Sequence, residues 1–86
     1  MNKSLESITH EEFLKLMERL KNLQEFTFLE YTMAPEADIF YFNFMEKTMK
    51  IKWDLDYGLF LETESLSTAD RDLFLNILDK EILFLI

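Results

Sequence analysis

Met49-Lys50-Ile51-Lys52-Trp53-Asp54-Leu55-Asp56 alternates apolar and charged residues without a break. Successive side chains of a strand point to opposite faces, so this octet predicts a β-strand with Met49, Ile51, Trp53 and Leu55 buried and the lysines and aspartates wet. Gly58, the one glycine, follows where a hairpin needs a residue tolerant of positive φ. Leu59 and Leu61 continue the inward pattern on a fourth strand, with Glu62 and Glu64 near its end. Lys50 and Lys52 then lie across from those glutamates, in pairs that contribute roughly 0.2–1 kcal/mol each.

Upstream, Ile39-Phe40-Tyr41-Phe42-Asn43-Phe44 predicts another strand. Its apolar residues fall on both faces, which implies a central position or a second covered surface. Before it, Phe26, Phe28, Leu29, Tyr31 and Met33 predict a first, aromatic-rich strand. That strand stops at Ala34-Pro35-Glu36, because proline has no N–H for the ladder and restricts the residue before it.

The sheet is flanked by helices. Thr9 and Glu12 make a Thr-x-x-Glu capping box, with Ile8 and Phe13 placed as a hydrophobic staple. Phe13, Leu16, Met17, Leu20 and Leu23 recur at helical spacing, and Glu11 and Lys15 form an i, i+4 pair on the other side, which predicts a helix over 10–24. Ser67 and Asp70 mark a second helix start, with Asp70 and Asp72 favourable against the helix dipole. Ala69, Leu73, Phe74, Ile77 and Leu78 give its predicted buried stripe. The end, Ile82-Leu83-Phe84-Leu85-Ile86, is uniformly apolar and reads equally as a last helical turn or a short strand. The chain therefore reads as one 1–86 domain of the α+β class: an N-terminal helix (8–25), three or four antiparallel strands (26–64) and a C-terminal helix (67–86), with both helices on one sheet face.

Eighty-six residues are near the lower limit for a core without disulfide or metal support, and there is no cysteine. Nine phenylalanines offset the small size, since each buried aromatic removes roughly 150–250 Å² from water. Nine basic residues against 17 acidic ones leave a net charge of −8. That charge opposes direct binding to nucleic acid or to an anionic membrane surface and favours a basic protein partner. It also keeps a phenylalanine-rich protein in solution. No apolar segment follows Met1 as in a signal peptide, and none is long enough to span a bilayer, so the expected location is the cytoplasm.

Catalytic and metal readings are weak. His10 is the one histidine, and no partner base is apparent beside it in the chain. Asp54-Leu55-Asp56-Tyr57-Gly58 invites a calcium reading but fails as an EF-hand: Gly58 stands at the fifth position and Ser65 at the twelfth, where oxygen ligands are needed. Phe40-Tyr41-Phe42-Asn43-Phe44 has the aromatic content of a base-stacking strand, but its flanks are Glu36, Asp38 and Glu46 rather than basic residues. No catalytic residue, metal or cofactor is therefore expected.

Two surfaces are candidates for partner binding. The first is acidic: Asp54, Asp56, Glu62, Glu64, Asp70 and Asp72, opposed within that segment only by Arg71. If they share a surface, their carboxylates can imitate a line of phosphates; the competing reading is a solvated face balanced by Lys47, Lys50 and Lys52. The second is apolar: Phe40, Phe42, Phe44, Phe84 and Ile86, which a homodimer or a partner segment would cover. The leading expectation is a non-enzymatic inhibitor or immunity-type module, such as a phage counter-defence protein, that blocks a basic surface on a nucleic-acid enzyme. The alternative is a homodimeric chaperone or adaptor, similar in size and acidity to the small chaperones of secretion systems, that holds a partner segment on an apolar sheet face. Thr9-His10-Glu11-Glu12-Phe13-Leu14-Lys15-Leu16 is similar to the first helix of the immunity proteins for nuclease colicins, which are also small and acidic. Those proteins are all-helical, the strand pattern from Phe26 to Thr63 departs from them, and no residue role is carried over.

Overall fold

The computed structural model describes residues 8–85. The order is α1 (His10–Lys21), β1 (Phe26–Ala34), β2 (Ala37–Phe44), β3 (Lys47–Asp54), β4 (Gly58–Glu62) and α2 (Thr68–Ile82), closed by a 3-10 turn at Leu83–Leu85. The four strands form one antiparallel meander in the order β1-β2-β3-β4. This is the expected α+β arrangement of helix, strands and helix.

Thr9 caps α1 as its spacing predicts: the side chain accepts from the Glu12 N–H and Glu12 reaches back to the Thr9 N–H. The helix ends at Lys21, three residues short of the predicted Gln24. Asn22 turns its N–H onto the Arg19 and Leu20 carbonyls, and Leu23 bonds back to Leu20, so the chain leaves the helix in tight turns. Leu23 still packs on the core, which is why its spacing looked helical.

The register settles which strand faces are buried. Phe44 pairs with Phe26, Phe42 with Phe28 and Met49, and Phe40 with Ile51. This face meets both helices: Phe13 of α1 lies edge-on to Phe40, and Phe74 of α2 packs on Phe26 and Phe44. The other face carries Ile39, Tyr41, Lys50, Lys52, Phe60 and Glu62, and no helix among the described residues covers it. Phe40, Phe42 and Phe44 thus all point inward, while Ile39 and Tyr41 take the half-buried outer positions.

Three features depart from the simple alternation. A bulge at Leu29 separates Phe28↔Phe42 from Glu30↔Tyr41, so the inward set on β1 runs Phe26, Phe28, then Tyr31 and Met33. β3 ends at Asp54, and Leu55, predicted to be buried, is 59% exposed in the following turn. On α2 the buried residues are Phe74, Leu78 and Ile82, whereas Leu73 is exposed and Ala69 lies outside the stripe. The apolar tail resolves as helix through Ile82 and a 3-10 turn to Leu85; Ile86 lies outside the described residues.

Candidate functional site

The six carboxylates singled out in the sequence fall at three places. Asp54 closes the β3–β4 hairpin opposite Gly58, and its Oδ1 accepts from the Asp56 and Tyr57 N–H groups at 2.8 and 3.0 Å. It is a turn-forming residue. Asp56 sits exposed at the tip, and Gly58 takes φ 85 to bring the chain back. At the other end of β4, Glu62 pairs with Lys50, with Nζ to Oε1 at 3.9 Å, and Glu64 lies just beyond the strand. Lys52 faces Phe60 rather than a glutamate, with its ammonium 5.5 Å from the ring centre. Asp70 and Asp72 are in the opening turns of α2, where Ser67 Oγ accepts from the Asp70 N–H. Among the described residues Asp56, Glu64, Asp70 and Asp72 have no salt-bridge partner. No group of three or more His, Asp or Glu residues among those described is placed to hold a metal ion.

Asp56 and Glu64 therefore bracket β4 in the chain, and a groove runs along that strand. It has a volume of about 440 Å³ and is lined by Trp53, Tyr57, Leu59, Phe60, Leu61 and Leu75. Tyr57 is 81% exposed at its mouth. The groove runs along β4, an edge strand of five residues, with Leu75 of α2 in its lining.

The apolar candidates separate. Phe40, Phe42 and Phe44 are 5, 0 and 1% exposed and belong to the core, so no partner reaches them in this fold. Their burial follows from even spacing on a strand whose inner face lies under both helices. Phe84 is exposed, its ring under the Arg19 guanidinium at 4.4 Å, and Arg19 also holds Glu81 at 2.9 Å. Ile86 lies outside the described residues.

Two groupings were missed. His10 is not a lone surface histidine: its Nε2 lies 2.5 Å from Asp38 Oδ2, and the Tyr31 hydroxyl donates to Asp38 Oδ1 at 2.6 Å. The imidazole also stacks on Trp53, with ring centres 5.6 Å apart. Burial resists ionisation of Asp38, but the hydrogen bonds from Tyr31 and His10, with the histidine's charge, outweigh it and hold the carboxyl below its ordinary value. The same hydrogen bond to Asp38 raises the Tyr31 phenol. Twenty-eight residues separate His10 from Asp38, so chain spacing carried no sign of the pair.

The second missed grouping is the β1 edge. Phe28, Leu29, Tyr31 and Met33 are 37, 46, 40 and 75% exposed, and Leu14 of α1 joins Tyr31 and Met33 along a groove of about 370 Å³. The sequence places Phe28, Leu29, Tyr31 and Met33 on a strand, but its edge position and the bulge were not legible.

Comparison with known proteins finds no family model, curated protein or solved structure that matches the chain.

Proposed function

We propose that the protein is a non-enzymatic protein-binding module of the inhibitor or immunity type, with a phage counter-defence protein as the model, and that its β4 edge covers a basic surface of a nucleic-acid enzyme. The observation that carries this reading is the apolar groove along β4, bracketed in the chain by Asp56 and Glu64. Charge alone gives fast but weak association, and an apolar pocket beside it supplies the anchor that slows dissociation. The matching partner surface is an aromatic or aliphatic side chain flanked by lysine or arginine. Phosphate-binding surfaces of nucleic-acid enzymes have the required positive charge, and Asp56 and Glu64, which flank β4 in the chain, are the carboxylates that would stand in for phosphates.

The test is capture of partners from host lysate, washed at low and high salt. A basic nucleic-acid enzyme retained at low salt and released at high salt supports the reading. Asp56 and Glu64 are the residues to reverse, because neither has a salt-bridge partner among the described residues, whereas Asp54 shapes its turn and Glu62 pairs with Lys50. Capture that is insensitive both to salt and to Asp56→Lys with Glu64→Lys contradicts it.

A further inference from the structure

The other edge of the sheet has the opposite character, and we infer that it joins a second copy of this chain, β1 against β1, into a continuous eight-stranded sheet. β1 is nine residues long and carries a single charge, Glu30. As an edge strand it offers a row of backbone groups with no strand partner on that side among the described residues, a template that proteins ordinarily blunt with charge or cover. Strand order places the carboxylates of the β3–β4 hairpin at the far side of the sheet, so two chains of net charge −8 that meet here keep those charges apart.

The strand is also self-complementary. The Leu29 bulge interrupts regular pairing, which leaves Glu30–Ala34 as the straight stretch, and its midpoint is Thr32. A two-fold axis at Thr32 sets Thr32 opposite its copy, Tyr31 opposite Met33 and Glu30 opposite Ala34. No like charges then face each other, and threonine pairs and aromatic–apolar pairs are favourable cross-strand neighbours. The same axis keeps both copies' helices on one face of the joined sheet. Tyr31 and Met33 from each chain form a four-side-chain cluster between the two α1 helices, beside Leu14. Covering these side chains removes several hundred Å² per copy, and the paired backbone brings the total towards the roughly 800 Å² per partner of a stable interface. Two-fold closure consumes the edge, so the assembly stops at two.

Sedimentation equilibrium of the full chain at micromolar concentration is expected to give twice the chain mass of 10.4 kDa. Raising salt strengthens the association, because it screens the net repulsion. Met33→Lys, at a side chain 75% exposed, is expected to weaken dimerisation by roughly thirtyfold or more with an unchanged circular dichroism spectrum. The chain has no cysteine, so Thr32→Cys supplies the sole thiol, and mild oxidation should link the copies, whereas Phe84→Cys at the exposed C-terminal turn should not link them. A wild-type monomer, a dimer that persists in Met33→Lys, or linkage of Phe84→Cys in preference to Thr32→Cys overturns the inference.

Discussion

Asp38 is the residue on which three elements meet. It takes hydrogen bonds from His10 at the start of α1 and from Tyr31 on β1, while standing opposite Trp53 on β3. Its carboxyl is held below the ordinary value, so its contribution to stability is present above the unfolded carboxyl pKa and is lost as pH falls through the depressed folded value. Tyr31 works in the opposite sense: its raised phenol contributes below the ordinary phenol range and loses that contribution as pH rises through the folded value. Asp38→Ala is expected to cost about 0.5–1.5 kcal/mol at neutral pH, the net worth of a hydrogen bond whose donors, Tyr31 and His10, stand partly in water. Urea midpoints measured against pH should show the gap between wild type and this variant closing in acid. A gap that stays constant down to the acid limit would mean that the pairing does not depend on ionised Asp38. None of this was legible in the sequence. A lone histidine gives no sign of its partner when that partner arrives from a strand 28 residues away.

At the level of elements, legibility followed local chemistry. α1 was readable because its cap, staple and stripe agree, and β3 because its alternation has a period no helix shares. The β2–β3 turn was not readable. Met45 and Glu46 take φ 54 and 63, both in the left-handed region, as the central residues of a two-residue type I′ hairpin require. Asparagine and glycine normally stand there, and their absence removed the turn signal. Each side chain held in that region costs of order 1 kcal/mol or more. Glu46→Gly is therefore expected to stabilise the fold by about 1 kcal/mol, even after the added entropy of an unfolded glycine. A raised urea midpoint with an unchanged slope checks this; a lowered midpoint would mean that contacts of Glu46 outweigh its backbone strain. The buried face of α2 was read in part: Phe74 and Leu78 are buried as expected, while Leu73 and Ala69 are exposed. The helix is apolar on several sides, and its docking, with Phe74 against Phe26 and Phe44, turns Leu73 outward and brings Ile82 in.

Across the whole molecule, the sheet separates two kinds of surface. The core is one phenylalanine-rich cluster between the sheet and both helices, which is why Phe40, Phe42 and Phe44 serve folding and are withheld from partners. β1 carries one charged residue, Glu30, and exposes Phe28, Leu29, Tyr31 and Met33, with the Lys21 ammonium over Phe28, while β4 runs beside an apolar groove. Charge totals and apolar runs were visible in the sequence, but neither tells which strands lie at the edges, and edge position decides what a partner meets. In a β1-joined dimer the two β4 grooves stand at the far ends of the sheet, so one dimer presents two equivalent acidic sites. The measurement that tests the functional account most directly is the affinity for the captured partner as a function of salt, for wild type and for Asp56→Lys with Glu64→Lys. The account predicts a steep loss of wild-type affinity with salt and, for the double variant, binding at least tenfold weaker at low salt with a shallower slope. Equal affinities and equal slopes for the two proteins would contradict it.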